Sequence, residues 1–310
     1  MSCYLGIDTS NYTTSVCLYD DEKKRVISQR KLLPVRQGEL GLRQSDAVFH
    51  HVQQLPELFR QAFDSFDGVI RAIGVSERPR AVEGSYMPCF TVGTAAADIL
   101  SAVTGAPVYR FSHQQGHIAA ALFSLDRLDL LFEKHIAFHV SGGTTEALLV
   151  NGREGFLTTD LIAKTLDLNA GQLIDRVGVM LGLPFPCGKE LERLALTCEE
   201  PIRAKATLKG LDCCLSGGEN LAKKLKDEGK SDAYIARFAI EYIYQAIRGM
   251  SDRIRERYGE LPFVYAGGVM SDSIIRDRLT AETNCLFSFP EYSSDNAAGI
   301  AVLAGIKDHL

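Results

Sequence analysis

The sequence predicts an α/β fold of two lobes that share one strand-and-helix plan, and three observations predict it. Two short β-like runs around a small polar turn occur twice, at residues 3–10 with 14–19 and again at 135–140 with 145–150. Helix-like and strand-like stretches follow each pair, the mixed order of a layered α/β protein. Third, Val108-Tyr109-Arg110-Phe111 reads as a short strand running into Ser112-His113-Gln114-Gln115-Gly116-His117. Residues four apart share one helix face, so His113 and His117 can reach a single cation. The mouth of a strand-to-helix turn is also where α/β proteins place their sites. The competing reading is a pair of capping or core histidines on an ordinary helix.

Taken in order, residues 3–10, 14–19 and 25–33 form a meander of antiparallel strands, with the mixed-charge run at 20–25 as its solvated tip. Residues 45–66 carry Val48, Val52, Leu55, Phe59, Ala62 and Phe63 at helical spacing, and Pro56 is expected to kink or divide that helix. Residues 70–75 read as a strand and 91–104 as a helix. Three strands, helix, strand, helix, strand is the order of the ribonuclease-H-like unit on which actin-like and Hsp70-like ATPases are built. The hairpin at 135–150 starts a second copy. Helices are expected at 167–181, 189–198 and 232–257, a strand at 263–266, and a closing amphipathic helix at 295–306. The expected division is 1–133 plus 295–310 for the first lobe and 134–294 for the second.

Composition excludes several classes. The chain has 310 residues, 46% of them hydrophobic, and a net charge of −5 with no block of like charges. Tight nucleic-acid binding by the chain alone is not expected, because that binding is built on phosphate neutralisation by Lys and Arg. No run approaches the roughly 18 apolar residues of a membrane span, and the residues at the N-terminus do not read as a signal peptide. The eight cysteines are scattered without a CxxC pair, as expected of reduced thiols in a cytoplasmic protein rather than a cysteine zinc site.

Glycine pairs recur in three places, Val140-Ser141-Gly142-Gly143, Leu215-Ser216-Gly217-Gly218 and Ala266-Gly267-Gly268-Val269. Glycine permits positive φ and lets a ligand approach the backbone N–H groups, which is how phosphates are cradled. Any single pair serves a tight turn equally well. Three pairs, two of them after apolar β runs, together with Asp8 after Gly6, make nucleotide binding the leading expectation.

These residues carry a resemblance. Gly6-Ile7-Asp8-Thr9-Ser10, His113-x-x-Gly116-His117, Val140-Ser141-Gly142-Gly143, Asp175-Arg176, Leu181-Gly182-Leu183-Pro184-Phe185-Pro186, Ala266-Gly267-Gly268-Val269 and Ser294-Asp295-Asn296-Ala297-Ala298 occur in one order over almost the whole chain. The chain resembles the TsaD-like tRNA threonylcarbamoyladenosine transferases, once described as glycoprotein endopeptidases. The resemblance implies an actin-like fold with a nucleotide and metal cleft between its lobes. It implies a divalent metal, iron or zinc, held by His113, His117 and Asp295, which fits the chemistry of an open two-imidazole, one-carboxylate site. It further implies ATP or an acyl adenylate, with magnesium as an additional candidate, contacted by His139, Val140, Ser141, Gly142, Gly143, Asp175, Gly188, Gly267, Gly268 and Asp272. Asp8 is then the candidate catalytic residue beside the phosphates. Implied partners are an adenine nucleotide, tRNA reached through other proteins, and a hetero-complex with threonylcarbamoylation proteins or a homodimer.

The chain departs from the family pattern at several positions. Asn11-Tyr12-Thr13-Thr14 lacks both acids usual in the first turn. Gly143 is followed by Thr144 rather than His or Asn. Gln172, Glu219 and Asp272 replace a glutamate, a lysine and an asparagine. These changes spare the three implied metal ligands and mark a divergent paralogue. Two other readings therefore stand beside threonylcarbamoyl transfer to tRNA: a carbamoyltransferase with a different acceptor, and a nucleotide-dependent scaffold without turnover. A metalloprotease is disfavoured, because the neutral Gln114 and Gln115 leave HxxGH without the glutamate base of HExxH.

Overall fold

The computed structural model describes residues 2–10, 12–34, 42–64, 66, 68–153, 156–281, 285–292 and 297–310. The chain divides into two compact units, one comprising 1–133, 152–158 and 291–310, the other 134–151 and 159–290.

The first unit holds strands β1 (Ser2–Asp8), β2 (Thr13–Asp20), β3 (Arg25–Leu32), β4 (Val69–Arg78) and β5 (Val108–Ser112), in the order β3-β2-β1-β4-β5. β1 runs antiparallel to β2 and parallel to β4, with Gly6 opposite both Cys17 and Gly74. The helices are α1 (Gln44–Phe63), α2 (Phe90–Thr104) and α3 (His113–Ser124). Side chains alternate across a strand. Leu5, Ile7, Ile73 and Val75 accordingly face one layer and pack with Leu55, Leu58, Ala62 and Ala97 of α1 and α2. Gly6, Asp8, Gly74 and Ser76 face the other side.

Pro56 does not divide α1, which is one helix of 20 residues. A proline inside a helix removes one backbone donor, but here Ala47, His51, Gln54, Leu55, Leu58 and Ala62 form a buried stripe on both sides of it, and tertiary packing outweighs the local cost.

The second unit repeats the plan. Strands β6 (His135–Val140), β7 (Thr145–Arg153), β8 (Phe156–Lys164), β11 (Phe263–Ala266) and β12 (Cys285–Phe287) lie in the order β12-β11-β6-β7-β8, while β9 (Thr207–Lys209) and β10 (Asp212–Cys214) form a separate hairpin. Its helices are α4 (Ala170–Met180), α5 (Gly188–Ala195), α6 (Ser216–Asp227), α7 (Asp232–Tyr258) and α8 (Ser273–Thr280). Phe138, Phe263 and Tyr265 stack on the sheet and are buried with Ile240, Ile243, Ile247 and Met250 of α7. The last helix, α9 (Ala298–Asp308), belongs to the first unit. Among the described residues no helix is long and apolar enough to cross a membrane.

Candidate functional site

Helix α3 begins at His113 because Ser112 ends β5 and caps the first helical turn. Ser112 Oγ accepts from Gln115 N at 3.2 Å, and Ser112 N donates to Gln115 Oε1 at 2.7 Å, a reciprocal capping box. Gln115 also donates through Nε2 to the Leu157 carbonyl at 2.7 Å, so both ends of its amide serve structure. With the first turn fixed in this way, the Nε2 atoms of His113 and His117 approach to 2.8 Å. That is hydrogen-bond distance between the two rings; bonds of about 2.05 Å from one metal would put two nitrogens roughly 3.3 Å apart in a tetrahedral zinc site and roughly 2.9 Å apart on an octahedral edge, so a small separation of the rings lets the pair share a cation.

Asp8 ends β1 and is fully buried. Its Oδ2 lies 2.9 Å from His113 Nδ1 and accepts from Ser10 Oγ at 3.0 Å, while Oδ1 accepts from Ser76 of β4. The end of β1 is tied to α2 as well: Thr9 Oγ1 donates to the Cys89 carbonyl and accepts from Gly93 N. Phe90 meets the His113 ring edge-on at 6.3 Å between centroids.

The third implied ligand, Asp295, lies outside the described residues. The helix beginning three residues later is described. α9 crosses α3 at Gly116 and Gly299, where a Cβ on Gly299 would stand 1.9 Å from the Gly116 carbonyl oxygen. It crosses β1 at Gly6, where a Cβ would stand 2.4 Å from the Ala297 carbonyl oxygen. Thus the first turn of α9 lies against the histidine helix and on the Asp8 face of the sheet. Among the described residues no group of three or more His, Cys, Asp or Glu side chains is arranged to hold a metal.

In the second unit, the turn after β6 is closed by Ser141 N donating to the Thr144 carbonyl at 2.7 Å. A Cβ on Gly142 or Gly143 would meet nothing within 4 Å, so the Cβ side of both is open, while Gly171 of α4 packs on the other side of Gly142, where a Cβ on Gly171 would stand 2.6 Å from Gly142 N. Val140 is buried and His139 partly buried. The turn after β11 adjoins it. Gly267 has φ 104°, and its Cβ would be 2.2 Å from the Val140 carbonyl oxygen, whereas Gly268 is open. Asp175 of α4 accepts from Cys187 N at 2.9 Å and so holds the start of α5, where Gly188 is again open. Asp272 caps α8 by accepting from Ile274 N and Ile275 N on Oδ1. Burial, and then the nearby Glu192 carboxylate, push its pKa up to about 6 against the opposing pull of those N–H groups.

The third glycine pair is not an open turn. Ser216 starts α6, and the N–H groups of Leu215 and Ser216 with the Ser216 hydroxyl all donate to the Asp167 carboxylate. Burial raises the Asp167 pKa, but these bonds outweigh it and hold the group below its usual value. A carboxylate of the chain thus fills the anion position expected for a phosphate. Gly218 serves packing, since its Cβ would be 2.8 Å from the Tyr242 ring.

Sequence reasoning missed Ser76 and the bond from Asp8 to His113. A faint signal existed: Gly74-Val75-Ser76 repeats the small-apolar-polar order of Gly6-Ile7-Asp8, and in parallel neighbours Gly6 pairs Gly74.

Two sheets of one topology, each order centred on an antiparallel hairpin and extended by parallel strands, with glycine turns at the ends of β6 and β11, define an actin-like (ASKHA) α/β protein. In agreement, component A of the (R)-2-hydroxyglutaryl-CoA dehydratase of Acidaminococcus fermentans superposes with a TM-score of 0.57 over 100% of both chains at 15% identity, a likeness of fold. The model of the family described as tRNA N6-adenosine threonylcarbamoyltransferase, TsaD, matches residues 25–302. The chain belongs to that family. It is 28% identical over 308 residues to the Nanoarchaeum equitans protein of that name, covering 96% of this chain and 92% of the relative. It is 27% identical over 309 residues to a Thermoplasma acidophilum protein described as a probable bifunctional tRNA threonylcarbamoyladenosine biosynthesis protein, and spans 55% of that longer relative. These matches, which run along nearly the whole chain, do not favour the readings as a transferase with another acceptor or as a scaffold paralogue.

Proposed function

We propose that the chain transfers a threonylcarbamoyl group from its adenylate to the N6 amine of an adenosine in tRNA. The acyl carbon–oxygen bond to phosphate breaks, a carbon–nitrogen bond to N6 forms, AMP leaves, and the amine gives up a proton. The observation that carries this reading is the convergence of His113 and His117 at 2.8 Å in a member of this family.

In this proposal His113, His117 and Asp295 hold one divalent cation, iron or zinc. When bound, that cation supplies a Lewis acid for an oxygen of the substrate. The backbones of Gly142, Gly143 and Gly268, open on their Cβ sides, bind phosphate, with His139, Val140 and Ser141 shaping the first turn and Gly267 fixing the second. Asp175 and Gly188 contribute at the α4 and α5 ends, and Asp272 stands where the family has asparagine. Magnesium accompanies the nucleotide. Because the chain carries a net charge of −5, tRNA is bound with the help of a more basic partner in a hetero-complex, in the cytoplasm. Strong, salt-sensitive tRNA binding by the chain alone would contradict the need for such a partner.

The test is transfer itself. Purified chain with its partner proteins, threonylcarbamoyl adenylate and unmodified tRNA should give threonylcarbamoylated adenosine on nucleoside mass spectrometry. Unmodified adenosine after full consumption of the adenylate would contradict the reading.

A further inference from the structure

We propose that Asp8 is a positioning residue that fixes the tautomer of His113, leaving His113 Nε2 with the lone pair a cation needs. This rests on the reading of His113 and His117 as metal ligands. It assigns Asp8 a role through a histidine rather than on the phosphates.

The geometry points one way. Asp8 is fully buried at the end of β1, and its carboxylate is surrounded by Ser10 Oγ at 3.0 Å, His113 Nδ1 at 2.9 Å and the Ser76 hydroxyl. An ionised carboxylate only accepts, and toward ionised Asp8 both hydroxyls and the imidazole Nδ1 donate. A neutral imidazole has one N–H. With that hydrogen on Nδ1, Nε2 is the bare nitrogen, and Nε2 is the atom that lies 2.8 Å from His117 Nε2. A carboxylate that fixes the far nitrogen of a ligating histidine sets both ring orientation and basicity.

The surroundings make this arrangement hard to leave. Ser10 comes from the turn after β1 and Ser76 from the neighbouring strand β4, so two separate segments hold the carboxylate. The close approach of α9 at Gly6 and Gly74 closes the same face of the sheet, with a Cβ on Gly74 falling 2.5 Å from the Ile300 carbonyl oxygen. For Asp8 to turn toward a ligand it would have to abandon all three donors inside a buried setting, where unpaired polar groups are costly.

The test uses the full chain, stripped of metal and labelled with nitrogen-15 histidine, at a pH where His113 is neutral. Nuclear magnetic resonance should find His113 protonated at Nδ1 and bare at Nε2. Zinc titration should then give an affinity in Asp8→Ala lowered by about 10- to 100-fold, with Asp8→Asn, which keeps one acceptor oxygen, losing less. Protonation of His113 at Nε2 in the parent would overturn the proposal, and that measurement stands even where Asp8→Ala fails to fold. Undiminished zinc affinity in a folded Asp8→Ala protein would overturn it as well. A parent that binds no zinc, with His113 protonated at Nδ1, would instead contradict the metal reading on which the role is built.

Discussion

Gly116 of α3 and Gly299 of α9 pack backbone to backbone: a Cβ on Gly299 would come 1.9 Å from the Gly116 carbonyl oxygen and 2.6 Å from Ala120 N. The glycine inside HxxGH is therefore a packing residue. Its own Cβ would press on Ile300 at 2.8 Å. Neither neighbour of Gly299 is a flexible side-chain end, so Gly299→Ala must push the two helices apart. Thermal unfolding should record a loss of about 1–3 kcal/mol or more, and zinc affinity should fall with it. An unchanged melting temperature would contradict the close crossing.

Asp295 carries a separate prediction, because it is proposed to hold metal rather than the fold. Asp295→Ala leaves two imidazoles, which hold a divalent cation more weakly than three protein ligands. Elemental analysis should find metal content lowered while the melting temperature is nearly kept. Stoichiometric metal in the variant would remove Asp295 from the ligand set.

The two glycine turns of the second unit should respond differently to the same substitution. The Cβ side of Gly142 is open, so Gly142→Ala should leave stability within about 0.5 kcal/mol and weaken adenine-nucleotide binding in a calorimetric titration. Gly267 combines φ 104° with a Cβ position 2.2 Å from the Val140 carbonyl oxygen, so Gly267→Ala should destabilise the fold as well. Equal effects of the two on unfolding would contradict the distinction.

Asp272 gives a pH dependence of stability. Its folded pKa, about 6, stands above the ordinary aspartate value of 3.8, with burial as the main cause. A group with a raised folded pKa contributes its stability below the unfolded value and loses it as pH rises through the folded one. The window is therefore about pH 4 to 6, with stability falling as pH rises. His51 works in the opposite direction, since burial lowers its pKa to about 4, so the informative quantity is a difference between proteins. Asp272→Asn keeps a side chain that caps helices well. Urea unfolding should find it more stable than the parent at pH 8, by up to about 3 kcal/mol for a two-unit shift, with the difference vanishing below about pH 4. A pH-independent difference would contradict the assignment.

Much of the fold was legible because period and order carry it. The β1–β2 and β6–β7 hairpins read directly from apolar runs around small polar turns, and α7 from its long amphipathic pattern. α6 and α8 were hidden by their first residues. Ser216-Gly217-Gly218 reads as a turn until Asp167, 49 residues earlier, is found holding its N–H groups. Ser271-Asp272-Ser273 reads as a loop, although Asp272 is a cap. β8 was obscured by the polar Thr158-Thr159-Asp160 within it. In the site, spacing alone put His113 and His117 on one face. The bond from Asp8 to His113 joins residues 105 apart, which no local pattern encodes, and the part played by Gly116 depends on a helix that begins at Ala298.

Threonylcarbamoyl transfer is tested most directly by mass spectrometry of tRNA nucleosides from cells in which the gene for this chain has been deleted. N6-threonylcarbamoyladenosine should be lost, the parent gene should restore it, and the gene carrying His113→Ala should not. Unchanged threonylcarbamoyladenosine in the deletion strain would contradict the proposed activity.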